Sequence, residues 1–390
     1  MKTMSQQSRK EYLTRIWPRY QRAGREHKQL ILNEFCINCE HDRKHAIKLL
    51  NRPLGGRQRP PGPEPTYGEA ELEVLTYLWQ QTDYLCSKRL KAALPIWLPH
   101  YEHHQGALPS DVRERLGQIS PATIDRLLVP VRAKIAPRGR CGTRPGTLIR
   151  TQIPIRAEEW NVNQPGYLEA DTVAHCGESL AGSFVWSLTC TDIMTGWTES
   201  RAVWNKGAEG VLAQIHDVEK ALPFSISGFD CDNGGEFLNY HLLKYFQERP
   251  SPVIFTRSRP YHKNDNAHVE QKNWMHVRQL FGYDRFDNVE LVKLMNDLYS
   301  QEWFWFQNFF CPSMKLRHKE RIKSRWVKNY DKPTTPYQRL LQWQGLGAEK
   351  RQILEKLYQQ LDPITIKAVI ERKLKRIFAL VHLKNLKAVS

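Results

Sequence analysis

The stretch Gly228-Phe-Asp-Cys-Asp-Asn-Gly-Gly-Glu-Phe237 passes from strand-like sequence into a turn and then into a helical pattern. It places Asp232 where the strand ends. A second apolar stretch, Tyr167-Leu-Glu-Ala-Asp-Thr-Val173, brings Asp171 to a similar position. A third acidic residue, Glu270, lies early in a helical pattern, thirty-eight positions beyond Asp232.

Carboxylates gathered from two strands and a helix would repel one another strongly unless positive charge lies between them. A pair of hard divalent cations, Mg²⁺ or Mn²⁺, is the natural occupant, because such ions favour oxygen ligands. Two other acidic residues compete for this role. Glu169 and Asp230 each lie two residues before one of the candidates and share its strand face, so composition alone does not exclude them.

Residues 166–300 alternate strand-like and helical segments, which predicts an α/β domain. Three consecutive strands come first, and helices then alternate with two further strands. This order matches the ribonuclease-H-like arrangement, a five-stranded mixed sheet with flanking helices. Its first and fourth strands are neighbours, which would place Asp171 beside Asp232. The predicted strands are 167–174, 183–191, 197–204, 224–232 and 253–257.

Length and charge indicate a multidomain protein that binds a polyanion. A chain of 390 residues is expected to form about two to four domains. The net charge of +17 favours nucleic acid as the partner. No apolar run approaches the length of a membrane helix, and the amino terminus lacks a signal-peptide core. Together with eight scattered cysteines, these features predict a cytoplasmic protein with reduced thiols and no membrane partner.

Residues 1–52 predict an amino-terminal helix-turn-helix DNA-binding domain. Apolar residues recur with the spacing of three short helices, and Asn38-Cys-Glu40 separates the last two. Arg43, Lys44 and Lys48 would project outward from the last helix, as a major-groove reader requires. A plain three-helix bundle with a basic face is the alternative. The residues expected to face inward are Tyr12, Ile16, Tyr20, Leu30, Ile31, Phe35, Ala46, Ile47 and Leu50.

A second helical domain with a helix-turn-helix-like pattern is predicted at 67–135, after a linker rich in proline and glycine at 53–66. Ser120-Pro121 supplies an N-cap and a first-turn proline for its last helix. Thr123 and Arg126 would point outward from that helix as DNA contacts. The boundaries expected next are a basic linker at 136–162, which is either a solvated connector or a tether along a DNA groove, and the α/β core at 163–310.

The carboxy-terminal part, 311–390, is predicted to be a basic, partly helical extension. The aromatic cluster Trp303–Phe310 just before it is more typical of a core or an interface than of a base-stacking platform. Lys315–Lys332 is rich in basic residues and is suited to follow a phosphate backbone. The candidate DNA contacts of this strip are Lys315, Arg317 and Lys319.

The helical neighbourhood of Glu270 is also suited to DNA. Polar and aromatic residues, Asn273 among them, fall near the same helix face as Glu270 and could hold a DNA end beside the metal ions. The alternative is that Trp274 and Val277 are simply buried. The candidate DNA contacts of this segment are Lys263, Asn266, Trp274 and Arg278.

Three motifs in order resemble the retroviral-integrase-type catalytic core, and in particular bacterial insertion-sequence transposases of the DDE class. The motifs are Asp171-Thr172, Asp232-Asn-Gly-Gly-Glu-Phe237 and Arg259-Pro-Tyr-His-Lys-Asn-Asp-Asn-Ala-His-Val-Glu-Gln-Lys-Asn-Trp274. Ala267 stands where many relatives have glycine. The resemblance extends over about residues 10–345. It includes Ile31-Leu-Asn-Glu-Phe-Cys36, Arg43-Lys-His-Ala-Ile-Lys-Leu-Leu50, Phe309-Phe-Cys-Pro-Ser-Met-Lys-Leu316 and Tyr330-Asp-Lys-Pro-Thr-Thr-Pro-Tyr-Gln-Arg-Leu-Leu341.

The resemblance implies a catalytic triad of Asp171, Asp232 and Glu270 that holds two Mg²⁺ (or Mn²⁺) ions per active site. It implies hydrolysis at the end of a mobile element, followed by joining of the freed 3′-hydroxyl to target DNA. The implied partners are double-stranded DNA, namely the terminal inverted repeats and the target, and further copies of the chain on paired ends. The implied setting is the bacterial nucleoid. A nuclease that cuts without joining and a DNA-binding regulator with an inactive core are the alternatives.

The remaining acidic and metal-ligating residues are expected to be structural. The family pattern, not composition, excludes Glu169 and Asp230. Glu236 and Asp265 are predicted at helix starts, where capping explains them, and Asp192 enters a turn. Zinc ligand types occur at Cys36, Cys39, His41 and His45. They fall across the predicted turn and recognition helix, and no second CxxC pairs with them, so a zinc site is not expected.

Overall fold

The computed structural model describes residues 4–53, 66–134, 162–232, 234–257, 272–322 and 325–387, with only the backbone at 317–319, 321–322, 325–326, 328 and 383–387. The chain divides into two compact units, Met1–Thr66 and Tyr67–Ser390. This division falls at the end of the predicted linker 53–66. Most of that linker, and nearly all of the predicted linker 136–162, lies outside the described residues.

The amino-terminal unit consists of helices packed around a small core of their own, which includes Ile16, Phe35 and Leu50. Glu40 follows the second helix with a left-handed φ of 52°. The Asp42 carboxylate then accepts a hydrogen bond from the Lys44 amide and caps the third helix. The helices are α1 (Gln6–Arg22), α2 (Arg25–Cys39) and α3 (Arg43–Leu50).

For two residues, the prediction that they lie inside this core is wrong. Leu30 is 64% exposed and Ile47 is 37% exposed, whereas Leu32 is buried. Leu30, Ile31 and Leu32 are consecutive, so their spacing fits more than one helix face. Phe35 selects the face, because it lies on the same stripe as Ile31 and Leu32 and fills the centre of the core.

The larger unit contains the predicted five-stranded mixed sheet. Its strand order is β3-β2-β1-β4-β5, with β1 antiparallel to β2, β2 antiparallel to β3, and β4 parallel to both β1 and β5. The first and fourth strands are therefore neighbours, as expected. The strands are β1 (Tyr167–Ala174), β2 (Val185–Asp192), β3 (Thr198–Trp204), β4 (Gly228–Cys231) and β5 (Ile254–Arg257).

A close backbone approach joins β1 to β4 at the start of both strands. Tyr167 pairs with Gly228, and the tyrosine ring occupies the space of the missing side chain. A Cβ at Gly228 would lie 2.2 Å from the Tyr167 ring. Glycine is therefore required here, and this contact helps to set the register that aligns the ends of the two strands.

Helices cover the sheet and extend the larger unit at both ends of the chain. Before the sheet lie α4 (Glu69–Gln81), α5 (Ser87–Gln105), α6 (Ser110–Gln118) and α7 (Pro121–Arg132). After the first three strands come α8 (Ala208–Ala221) and α9 (Tyr240–Gln247). Helix α10 joins a π-helical turn at Asn273–Arg278 to an α-helical turn at Gln279–Phe281. Helix α11 (Glu290–Leu298) continues into π-helical turns at Tyr299–Trp303 and Phe306–Phe310.

Helices α4–α7 share one hydrophobic core with the sheet. The Trp97 indole of α5 donates a hydrogen bond of 2.9 Å to the Phe310 carbonyl and packs edge-on against Phe306. Ser120 caps α7 as predicted, with Pro121 in its first turn. Residues 67–134, expected as a domain of their own, thus belong to the same compact unit as the sheet. The buried aromatic rings of Trp303–Phe310 supply much of this shared core, which confirms their interpretation as core residues.

The carboxy-terminal extension contains a β-hairpin that the sequence did not predict. Leu316, Val327 and Tyr330 of this hairpin are exposed. The sequence of these two strands is mostly charged and polar and carries no alternating apolar signal. No described helix is long and apolar enough to cross a membrane. The elements are β6 (Leu316–Ile322), β7 (Arg325–Tyr330), α12 (Pro336–Gln342), α13 (Ala348–Gln360) and α14 (Pro363–Lys387).

Candidate active site

Asp171 and Asp232 occupy equivalent places on neighbouring parallel strands. Ala170 of β1 pairs with Cys231 of β4, and each aspartate is the next residue along its chain. In-register residues of parallel strands point to the same side of the sheet. Burial, and then the negative charges of nearby carboxylates that include Asp232 and Asp171, raise the pKa of the Cys231 thiol well above its usual value. Both carboxylates therefore lie close enough to the Cys231 sulfur to influence its pKa.

The Asp171 carboxylate is held by its neighbours on β1 and α10. Its Oδ1 accepts a hydrogen bond of 2.7 Å from the Thr172 amide. Its Oδ2 accepts one of 2.6 Å from the Asn273 side-chain amide. Asn273 is itself buried and lies in the first turn of α10. This helix therefore fixes the orientation of Asp171.

The Asp232 carboxyl lies in a setting that disfavours its charge. Burial, followed by the negative charge of Glu236, raises its pKa to about 6. The Gly234 amide, which donates a hydrogen bond of 2.9 Å to Asp232 Oδ1, and the more distant Lys206 act in the opposite direction. Burial and the Glu236 charge together therefore outweigh the Gly234 hydrogen bond and the Lys206 charge at this carboxyl.

Glu236 is not the helix cap that the sequence suggested. Helix α9 begins at Tyr240, and Asn239 caps it. The buried Glu236 carboxylate instead accepts a hydrogen bond of 2.7 Å from the Thr172 hydroxyl and lies 3.3 Å from the Lys206 ammonium. A Cβ at Gly234 would lie 2.5 Å from this carboxylate. The double glycine before Glu236 was the one sequence signal for such a close approach.

The competing carboxylates lie deeper in the sheet. Glu169 pairs with Asp230 across β1 and β4, and both side chains are fully buried. The Thr256 hydroxyl of β5 donates a hydrogen bond to Asp230. Neither residue lines the surface cleft of about 280 Å³ beside β1, which Asp171, Asn273, Trp274 and Arg278 help to form.

Helix α10 presents one exposed aromatic residue to this cleft. Trp274 is 48% exposed, whereas Val277 is fully buried, so the alternative of two buried residues holds for Val277 alone. The Arg278 guanidinium donates a hydrogen bond of 3.0 Å to the Ala174 carbonyl and lies over the Tyr283 ring. The candidate residues Glu270, Lys263 and Asn266 lie outside the described residues.

The other candidate DNA contacts differ in their surroundings. Arg43, Lys44 and Lys48 are exposed on α3, and Arg43 donates a hydrogen bond of 2.5 Å to Asn33. On α7, exposed Arg126 donates to the hydroxyl of half-buried Thr123.

Lys315 turns inward, since its ammonium donates a hydrogen bond of 2.7 Å to the Met194 carbonyl at the β2–β3 turn. Arg317 and Lys319 lie on β6, and their side chains are outside the described part of the structure.

In the described residues, no group of three or more His, Cys, Asp or Glu side chains is arranged to hold a metal ion. Around Cys36 and Cys39, the His41 ring instead packs edge-on against Phe35 and His45.

Comparison with known proteins gives a family relationship and weak structural likenesses. No protein-family model matches the chain. An uncharacterized protein of Sinorhizobium fredii, y4rM, is 39% identical over 348 residues, which cover 86% of this chain and 96% of that protein. The chain therefore belongs to the same protein family as y4rM.

The structural likenesses are to retroviral integrases. An intasome of simian T-cell lymphotropic virus, solved in complex with the PP2A regulatory subunit B56 gamma, is 13% identical with a TM-score of 0.30, over 55% of this chain and 70% of that one. The catalytic core domain of HTLV-2 integrase, solved as a dimer with magnesium, is 14% identical with a TM-score of 0.27, over 39% of this chain and 92% of that one.

Proposed function

We propose that the protein is a DNA transposase of the DDE class, which cuts DNA at the ends of a mobile element and joins the freed 3′-ends to target DNA. One observation carries this proposal. Asp171 and Asp232 stand next to an in-register pair on adjacent parallel strands of a ribonuclease-H-ordered sheet, and Asp171 lines a surface cleft. Their motifs are those that resemble the integrase-type core. Phosphoryl transfer between DNA strands needs such carboxylates more than any other protein group.

The residues present fit a pair of divalent ions. Asp171, Asp232 and Glu270 would hold Mg²⁺ or Mn²⁺, since all three offer the oxygen donors that these ions prefer. When bound, the ions supply activation of the attacking oxygen and stabilisation of the leaving oxygen.

The position of Glu270 in the chain supports its assignment as the third carboxylate. It lies three positions before Asn273, which contacts Asp171. Because an extended chain spans at most about 3.6 Å per residue, three positions correspond to at most roughly 11 Å between Cα atoms. This short spacing and the family motif together support Glu270 as a member of the proposed site.

The chain's own residues position the carboxylates and the DNA. Asn273 orients Asp171, and the Gly234 amide orients Asp232. Lys206 and Thr172 hold Glu236 behind them. Exposed Trp274 lies at the mouth of the cleft, where an aromatic side chain can pack against a DNA end. These groups position the reacting strand without forming a covalent bond to it.

The basic helices supply DNA binding in this proposal. The exposed side chains of Arg43, Lys44 and Lys48 on α3 would enter the major groove at the terminal inverted repeats. Arg126 and Thr123 on α7 would contact a second part of the site. Two DNA ends held together require at least two active sites, so the working form is a homo-oligomer on paired ends.

The test uses labelled duplexes taken from the DNA that flanks the coding frame, a supercoiled plasmid and Mg²⁺. The wild-type chain should nick the duplex and join it to the plasmid. Asp171→Asn should abolish both steps and leave duplex binding intact. Exposed Asp284→Asn is the matched control and should leave both steps unchanged. Strand transfer by purified Asp171→Asn would refute the assignment.

The other outcomes identify the alternatives. Nicking without joined products would indicate a nuclease. Binding with no metal-dependent cleavage by the wild-type chain would indicate a DNA-binding regulator with an inactive core.

A further inference from the structure

A second cavity, of about 210 Å³, shares Trp274 as a lining residue with the Asp171 cleft. Its walls come from three parts of the fold: the turn between α4 and α5, helix α10, and the π-helical turn Phe306–Phe310. Trp274 lines both the cavity and the cleft. Anything that entered this cavity would therefore lie beside the proposed reacting strand.

Two exposed aromatic side chains line this cavity. Tyr84, from the turn between α4 and α5, is 49% exposed, and Trp274 is 48% exposed. Large aromatic side chains gain most from burial, so two half-open rings at one cavity indicate a surface that is covered by something else. A planar ring is the ligand that such side chains stack on best.

The amide of Gln307 lines the same cavity and is otherwise unused. The residue is 8% exposed, and within the described part of the chain its amide makes no hydrogen bond but is not sealed from solvent. A ligand that offers both a donor and an acceptor along one edge would satisfy it, and nucleobases present such edges.

The cavity also contains a buried cation without a carboxylate partner. The Arg89 guanidinium donates to the Pro312 carbonyl at 2.5 Å and to the Met275 sulfur at 3.0 Å. Among the described residues no carboxylate forms an ion pair with it. Asp83, the acidic residue of the cavity, lies 2.5 Å from the Lys367 ammonium and is offset by it. Arg89 thus offers a positive charge to an anion that enters from outside.

The turn that carries Tyr84 has an unusual backbone. Asp83 and Tyr84 both adopt left-handed conformations, with φ of 53° and 62°. Such angles are uncommon for residues other than glycine, and two in succession are unfavourable. The Tyr84 amide donates to the Trp79 carbonyl at 2.8 Å, and the Tyr84 ring packs edge-on against Trp79. The surrounding structure therefore holds the ring in place at the cavity.

We propose that this cavity receives a single unpaired nucleobase of the bound DNA. The base stacks on Trp274 and Tyr84, its hydrogen-bonding edge meets the Gln307 amide, and its phosphate lies against Arg89. An extruded or frayed nucleotide next to the reacting phosphate would enter in this way. The inference rests on the proposed function only in taking DNA as the ligand.

The test compares a duplex that has a short single-stranded end with the same duplex made blunt, both bound to the full chain in EDTA so that no cleavage occurs. The wild-type chain should bind the frayed duplex about tenfold more tightly, as stacking of one base allows. A 2-aminopurine placed at the unpaired position should be quenched on binding. Trp274→Ala and Tyr84→Ala should each remove both the preference and the quenching, and Tyr84→Ala should leave the affinity for blunt DNA unchanged.

Two further variants separate recognition from folding. Gln307→Leu removes the amide at similar volume, so it should keep or raise the unfolding temperature while it changes which unpaired base is preferred. Tyr240→Ala removes an exposed aromatic residue elsewhere and should change nothing.

Equal affinity of the wild-type chain for the two duplexes, no binding of either, or a preference that survives both aromatic variants would overturn the inference. The proposed function fails separately, because it is judged by Mg²⁺-dependent nicking and joining. A chain that kept the preference but never cut would retain the base site and lose the transposase assignment.

Discussion

In the metal-free protein, the charged form of the Asp232 carboxyl is unfavourable. Burial and then Glu236 raise its pKa from 3.8 to about 6. A folded-state pKa above the unfolded value means that the folded state binds the proton more tightly. The group therefore favours folding below about pH 4, and this contribution is lost as the pH rises through about 6.

Asp232→Asn should accordingly stabilise the metal-free protein at pH 7, by on the order of 1–2 kcal/mol. The reason is that the substitution removes a buried charge close to another of the same sign. Calorimetric unfolding in EDTA measures the effect, and the gain should shrink at pH 4. Mg²⁺ should stabilise the wild-type chain more than the variant. A lower unfolding temperature for the variant at pH 7 would contradict this reasoning.

Asn273 is a positioning residue, since it acts through Asp171. Asn273→Ala should lower the rate of nicking about 10–100-fold, in the range found when the partner of a metal ligand is removed. It should also raise the Mg²⁺ concentration needed for half-maximal rate, which a purely structural change would not do. Exposed Asn51→Ala is the control. An unchanged Mg²⁺ requirement would show that the hydrogen bond does not serve the metal site.

At the scale of strands and helices, the contact between β1 and β4 carries the alignment of Asp171 with Asp232. Gly228→Ala should destabilise the protein by about 1–3 kcal/mol, because the new methyl group meets the Tyr167 ring. Gly235→Ala is the matched control, since a Cβ there meets nothing within 4 Å. Denaturant unfolding of both variants tests the point. Equal stabilities would mean that the strands shift apart without cost to the fold.

Helix α3 gives a prediction about DNA binding. Lys44→Glu and Lys48→Glu should weaken binding to the flanking duplex. Each should also reduce the slope of affinity against salt by about one for every DNA phosphate that the variant no longer neutralises. Lys10→Glu, on an exposed position of α1, should have a smaller effect. Titrations at several salt concentrations decide this. An unchanged salt slope would remove α3 from the DNA interface.

The sheet was predictable because its strands alternate or are continuously apolar, and β1 matches its expected limits, Tyr167–Ala174. The proximity of Asp171 to Asp232 was predictable because the first and fourth strands of this order are neighbours, whereas their preference over Glu169 and Asp230 rests on the family resemblance. The role of Glu236 was not predictable, because its partners Thr172 and Lys206 come from distant parts of the chain. The β6–β7 hairpin carried no signal either, because its strands are mostly charged and polar and do not alternate with apolar residues.

At the scale of the whole molecule, the two compact units have separate cores. Residues 67–390 should therefore unfold at nearly the same temperature with or without residues 1–66. This fragment should keep Mg²⁺-dependent nicking and show a weaker preference for the flanking DNA, because it lacks α3, which is proposed to read part of that site. Calorimetry and competition binding of the fragment measure both. A large fall in its unfolding temperature would show that the units depend on each other.

The proposal depends most on three acidic side chains meeting around shared metal ions. Anomalous diffraction from crystals soaked in Mn²⁺ tests this most directly. We expect strong peaks within coordination distance of the Asp171, Asp232 and Glu270 carboxylates, and their disappearance in Asp171→Asn crystals. Saturating Mn²⁺ in the soak with no peak at the cleft, or a Glu270 side chain directed away from both aspartates, would contradict the transposase assignment.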